Sequence, residues 1–565
     1  MLVSVVIPTY NPGRYLYPGI DSLIGQTLPA DQFEIIVVDD GSTDGTPAYL
    51  DELAARQPNV VVVHSEHSGW AGRPRNIGIE RARGEFIQFM DQDDRMAPDA
   101  LRRLVEMGQR NRSDIVLGKV TSDFRGVALA LYRENRDVCT IHDAPLISSL
   151  TPHKMFRRSF LREHGILFPE GKRRLEDQLF VVKAYFAAGV ISILADEPCY
   201  FYLGRDDGGN AGSNPTWDPA GYYANLREVL DVVVANTAPG EQRARLMRRF
   251  CRAQLVGRVM GPRILTWDPE FRAQVFANIR AVMVDYVDEE IDASLGAVMG
   301  LRAALIRADR LDALVELTRR SADLVAPSRI EWTRWAAGRL EIGFAAEILH
   351  RDGRPFAFAR RDTQTVLDPD FTRDIAAELI DVSDDLRAVR LGVTIRDGMT
   401  SVEWRASTKV TVVREDLEPG ADGSDRVRVV FQGVATLNPE LAAGDQPLPP
   451  GVWDWRTRLE LFGLGLEAVL GAATTAHPDI APLRPYWHAD HLVTLTVTPG
   501  LGASLEVAQA ADPPRGRSVY RPRTGTIWRA EMTLARAARR VHRRLPGPLR
   551  DRSAAAVRAV RSVVR

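Results

Sequence analysis

Phe33-Glu34-Ile35-Ile36-Val37-Val38-Asp39-Asp40-Gly41-Ser42 decides the fold. A run rich in β-branched side chains stops at two acids followed by turn-forming Gly-Ser, as a strand buried on both faces of a parallel sheet would end. The ending recurs along the chain. Leu2 to Thr9 is almost wholly apolar and leads into Pro8-Thr9-Tyr10-Asn11, Val60 to Val63 is a third run, and Glu85 to Met90 halts at Asp91-Gln92-Asp93-Asp94. Between these, Arg14 to Gln26 places Leu16, Ile20, Leu23 and Ile24 at helical spacing, and Thr46 to Arg56 and Arg75 to Arg83 are helical stretches. Strand–helix–strand repetition predicts an α/β, Rossmann-like doubly wound domain. Such a sheet gathers its ligand groups at the carboxyl ends of its strands, so the polar clusters point to one shared pocket. The carboxylates in it point to a metal-bound, negatively charged ligand.

At 565 residues the chain exceeds one hydrophobic core, and two to four domains are expected. The α/β domain is expected over residues 1–215 and a helical linker over 216–327, where Leu226, Val229, Leu230 and Val233 form one stripe. Residues 328–512 alternate with period two, as in Leu340, Ile342, Phe344, Ala346 and Ile348, and predict one or two β-sandwich modules. Residues 513–565 form a basic tail, partly helical or disordered, in which Arg536 to Arg565 carries one acid, Asp551. It is expected either as a solvated extension or as an interfacial helix drawn to an anionic membrane or polymer.

The net charge of −1 argues against a generic nucleic-acid binder. Three dispersed cysteines, Cys139, Cys199 and Cys251, imply a reducing compartment and no disulfide framework. No apolar stretch reaches bilayer-spanning length, and the start lacks a basic n-region. The expectation is a cytoplasmic protein, peripheral at the inner face of the plasma membrane if the tail binds there.

The motifs resemble those of family 2 glycosyltransferases, inverting enzymes of the GT-A fold that use nucleotide-activated sugars. The resemblance runs from Ser4 to Asn11, Val38 to Asp44, Arg75 to Ile79 and Gly84 to Asp94, and closes at Leu175-Glu176-Asp177. Within the family the layout is similar to wall teichoic acid glycosyltransferases that decorate poly(ribitol phosphate). This implies a UDP-sugar donor carrying a hexose or N-acetylhexosamine, a glycan or polyol-phosphate acceptor, and a homotrimer built through the C-terminal β modules.

Each motif also has a physical reading. Pro8 fixes the end of the first strand. Tyr10 offers a face for a pyrimidine, or is a core aromatic. Asp40 can accept from a base imide N–H, the role the resemblance gives it, or can serve a turn. Arg75 can lie against base or phosphate, and His67 stands where the family often has Asn. Asp91 and Asp93, two apart in an extended segment, would face one site and suit Mn²⁺ or Mg²⁺ bridging a diphosphate. The resemblance gives Asp93 the metal contact and Asp91 the ribose or metal. Asp94 is expected to cap the helix near Pro98 or to contact the sugar. Asp177 matches the family's catalytic base, while acids at a helix start also simply complement the dipole. Glu176, Arg205 and His153 are expected as donor or acceptor contacts, with Lys154 beside His153 and Arg205 on a lid loop or a flexible domain exit.

Two other classes compete. A sugar-1-phosphate nucleotidyltransferase needs an early Gly-x-Gly-x-Arg loop, absent from the end of the first strand here. A non-catalytic carbohydrate-binding or assembly protein with a relic GT-A domain would have no use for intact Asp91, Asp93 and Asp177.

Overall fold

The computed structural model describes residues 1–123, 126–207, 217–375, 380–399, 402–420, 425–443, 447–461, 464–474, 483–488, 491–498 and 500–509. The basic tail from Arg536 to Arg565 lies outside the described residues.

Nine strands build the first sheet: β1 Val3–Thr9, β2 Phe33–Asp39, β3 Val60–His64, β4 Phe86–Phe89, β5 Arg95–Met96, β6 Ile115–Ser122, β7 Arg136–Cys139, β8 Met155–Arg157 and β9 Ile191–Tyr202. Their order is β3-β2-β1-β4-β8-β6-β9-β5, with β7 also on β9. The first four are parallel in register, Thr9 beside Asp39 and Asp39 beside His64, so their carboxyl ends align. β8 enters antiparallel to both β4 and β6. The sheet is therefore mixed, and the uniformly wound α/β reading holds for its first half only.

Helices α1 Leu16–Ile24, α2 Thr46–Arg56, α3 Gly72–Arg81, α4 Ala100–Asn111, α5 Arg158–Glu163 and α6 Glu176–Ala187 accompany the sheet. β1 and β2 are buried at every position, which explains their near-continuous apolar sequence. α3 lies tight on β1 because Gly78 carries no side chain: an added Cβ would sit 2.2 Å from Val6 Cγ1. Gly78→Ala is expected to cost about 1–3 kcal/mol through overpacking, read as a lower urea midpoint.

α7 Pro219–Ala235 and α8 Glu241–Phe250 open a helical region that continues to Ala322. Leu226, Val229, Leu230 and Val233 are fully buried, as their stripe requires. Twelve of the strands from Ser328 onward then form one long antiparallel ladder, while Leu349–His350 pairs with Leu324–Val325. Its two halves share the strand Glu403–Asp416: Glu403 to Ala406 pair with Val393–Arg396, and Ser407 to Asp416 pair with Val427–Thr436. The two β modules are thus continuous through one strand that changes partner midway. Cys139, Cys199 and Cys251 are free and buried. Among the described residues no helix is long and apolar enough to cross a membrane.

Candidate active site

Parallel register brings the ends of β1, β2 and β4 together, and side chains stitch the clusters to one another. Gln92 reaches back across the sheet, accepting the Tyr10 N–H at 2.8 Å and donating to its carbonyl at 3.3 Å. Asn11, at φ 43°, receives the Thr43 N–H at 2.8 Å, and its own N–H donates to Ser42 Oγ at 3.0 Å. Asp39 accepts the Ser42 N–H at 3.0 Å and meets His64 at 2.8 Å, so it serves the turn.

Asp40 is 3% exposed, with both carboxylate oxygens accepting from the Ser68 N–H and one also from its hydroxyl at 2.8 Å. His67 is held beside it, its Nδ1 3.0 Å from the Asp40 carbonyl. The His67 ring stacks on Tyr10 at 4.0 Å and 23°. Tyr10 is 41% exposed, which is not how a core aromatic sits.

Residues 91–94 form a turn, with the Asp94 N–H on the Asp91 carbonyl at 3.3 Å, not the extended segment the spacing argument assumed. In a turn, residues three apart converge, so the premise of strand periodicity is corrected, while Asp93 still lies close enough to act on Asp94. The carboxylates of Asp91 and Asp94 and a ring nitrogen of His153 lie within 4.8 Å of one another. Asp94 does not cap a helix. α4 starts at Ala100 behind Asp99, while Asp94 is buried, accepting from the Tyr200 hydroxyl at 2.7 Å and the Leu203 N–H at 3.0 Å. Burial, with Asp91 and Asp93 nearby, pushes its carboxyl well above the ordinary range.

Asp91 faces an arginine and a histidine ring. Burial alone would raise its pKa, but His153 at 3.0 Å and Arg75 at 2.9 Å drive it far below the usual value. Arg75 is itself buried, its other terminal nitrogen donating to Glu176 at 3.3 Å and its guanidinium 5.2 Å above the Phe168 ring. Arg75 thus joins two acids of the pocket wall.

Glu176 and Asp177 occupy the first turn of α6, where the helix dipole favours anions. Leu175 before them adopts φ 66°, a left-handed conformation that costs a non-glycine residue about 1–3 kcal/mol and often marks functional sites. Burial and the adjacent Glu176 raise the Asp177 carboxyl to about 7. Lys154 is lowered to about 7 by burial, its ammonium capped by Ser149 and Thr151. His153 faces the Asp91 side.

Tyr200 and Tyr202, which sequence reading passed over, organise this wall. Tyr200 accepts the Asp91 N–H at 3.0 Å and stacks on His153 at 4.7 Å. Tyr202 meets His153 Nδ1 at 3.1 Å. The signal was present in the chain, since two tyrosines two apart on one strand share a face. Arg205 pairs with Asp207 at 2.7 Å and lies over the Tyr15 ring, while Asp206 bonds Arg14 and Tyr15. The rest of the expected lid loop, to Gly212, lies outside the described residues.

The fold and site define a class. The profile described as Glycosyl transferase family 2 matches residues 4–176, and that of the Glycosyl transferase TarS linker domain matches 219–318. Glycosyltransferase GlyG of Streptococcus pneumoniae is 30% identical over 220 residues, 36% of this chain and 71% of that protein. The chain belongs to glycosyl transferase family 2. More particularly, it is 33% identical over 327 residues to the poly(ribitol-phosphate) beta-glucosyltransferase of Bacillus spizizenii, covering 57% of this chain. It spans about half of that relative's length, 51%. The crystal structure of Staphylococcus aureus TarS 1–349 in complex with UDP-GlcNAc superposes with TM-score 0.51 at 28% identity, over 63% of this chain and 98% of the other.

Proposed function

We propose that the protein is an inverting glycosyltransferase that moves a sugar from a UDP-sugar to a hydroxyl of a polyol-phosphate polymer or related cell-surface glycan. The observation that carries this reading is the fork of Arg75. It ties Asp91, one of the candidate cation donors, to Glu176, next to the candidate base Asp177, so that donor and acceptor chemistry share one wall. The relatives named for poly(ribitol-phosphate) transfer and for a UDP-GlcNAc complex support the substrate classes.

Tyr10, exposed at the mouth and stacked on His67, is the platform for the base, with Pro8 in the strand that leads to it and Asp40 fixing the His67 loop. Asp91, Asp94 and His153 offer oxygen and imidazole donors that suit Mn²⁺ or Mg²⁺, and Asp93 adds a carboxylate beside them. When bound, such an ion stabilises negative charge on the departing diphosphate. Arg75 holds Asp91 ionised. Arg205 stands ready to exchange Asp207 for a phosphate when the loop closes.

Asp177 takes the proton from the acceptor hydroxyl as that oxygen attacks the anomeric carbon from the side opposite the leaving group. Its carboxyl near 7 keeps it basic enough for that task. Only the ionised form acts, so kcat/KM is expected to rise with pH to about 7 and level above it, in a pH–rate profile of the wild type. We place the reaction at the cytoplasmic face of the membrane, where nucleotide sugars are made, with the β modules assembling a homotrimer that light scattering would reveal. The test of mechanism is stereochemical: an α-linked UDP-sugar should yield a β-linked product by NMR, and an α-linked product would overturn the single displacement.

A further inference from the structure

A polar cavity of about 220 Å³ lies between the first domain and the adjoining β module, and none of the residues gathered around Asp91 lines it. Asp123 and Gly126 come from the catalytic side; Arg396, Glu403, Arg458 and Glu467 come from the module. Its two sides are fastened together. Lys119 of β6 sets its ammonium 3.1 Å from the Trp404 ring centre and donates to the Glu403 carbonyl at 3.4 Å, and Arg396 donates to the Ser122 carbonyl at 3.2 Å.

We propose that this cavity is a second binding site, taking one polyhydroxyl unit, a pyranose or a polyol, of the acceptor chain away from the point of transfer. The lining decides the chemistry. Three carboxylates face two guanidiniums, so the wall as a whole does not select an anion, and it is too polar for an apolar ligand. Paired acids and bases, Arg458 with Glu467 at 3.1 Å and Arg396 with Glu403 at 3.8 Å, present acceptors and donors side by side, as adjacent hydroxyls require. A volume of about 220 Å³ leaves room for one unit rather than a chain.

The cavity also touches the catalytic wall through one residue. Asp123 accepts the Gly204 N–H at 2.7 Å, and the preceding Leu203 N–H holds Asp94 at 3.0 Å. A unit seated on Asp123 therefore bears on the loop that carries Arg205.

The polymer as source rests on the proposed function; the existence of the site does not. Gly126 lines the cavity, and an added Cβ there meets nothing within 4 Å, so a bulky side chain can be placed at its rim without a clash at its root. Transfer by full-length wild type and Gly126→Trp is compared on a short ribitol-phosphate oligomer and on monomeric ribitol phosphate. The oligomer KM should rise about tenfold in the plugged protein with the monomer KM unchanged, since only the oligomer engages two sites. An unchanged ratio of the two KM values overturns the proposal. Should Gly126→Trp fail to fold, Glu467→Gln is read in the same way. If wild type transfers to neither acceptor, the polyol-phosphate reading of the acceptor fails, and saturation-transfer NMR with the oligomer and with free ribitol still reads the cavity. Signals lost on plugging support the site, and free ribitol binding as well as the oligomer would name a small polyol as its source. Equal signals in both proteins contradict it.

Discussion

Asp177→Asn is expected to slow sugar transfer by about 10²- to 10⁴-fold, the usual contribution of a positioned general base, with UDP affinity changed by no more than about twofold. The replacement keeps shape and removes the basic oxygen. It also removes a charge from beside Glu176, whose proximity helps raise the Asp177 carboxyl to about 7. Stability should therefore hold or rise, which separates loss of chemistry from loss of fold. Steady-state transfer and calorimetric UDP binding on the same preparation check both halves, and turnover near wild type would take Asp177 out of the mechanism.

The second large effect is at Arg75. Arg75→Ala leaves Asp91 and Glu176 without the guanidinium they share in a buried setting, and breaking such a pair by removing one partner typically costs about 3–5 kcal/mol. His153 still faces Asp91, so Glu176 suffers the greater loss. Activity should fall with it, because the acids on either side of the pocket lose their common anchor. Arg75→Lys should recover little, since one ammonium cannot fork between two carboxylates as a planar guanidinium does. Chemical denaturation of both variants, with transfer measured in parallel, tests this. An Arg75→Ala protein as stable as wild type would mean the strut carries no load.

The strand ends were legible because parallel, doubly buried strands must be apolar and must stop at polar residues, and Asp39, Asp91 and Tyr10 lie where those stops predict. Long-range partners left less trace. Asp91 and Asp93 were read as a same-face pair on the premise of extended backbone, whereas residues 91–94 turn and bring Asp94 and His153 to Asp91, which spacing alone does not show. Arg75 read either as a base or phosphate contact or as a surface arginine; it is buried, and nothing nearby in sequence reveals Glu176, 101 residues away, as a partner. Tyr200 and Tyr202 were hidden by being aromatic in an apolar strand, where packing is the ordinary explanation. The shared strand Glu403–Asp416 was likewise invisible, because a change of partner midway does not alter the period-two pattern.

The central claim is that one pocket joins a cation-held pyrophosphate to the base at the start of α6. Phosphorus NMR of UDP in the presence of Mn²⁺ tests it most directly. Wild type and Asp177→Asn should both show pyrophosphate resonances broadened by protein-bound Mn²⁺, while a variant lacking the Asp91 and Asp93 carboxylates should lose the broadening. Equal broadening in all three proteins would contradict the account.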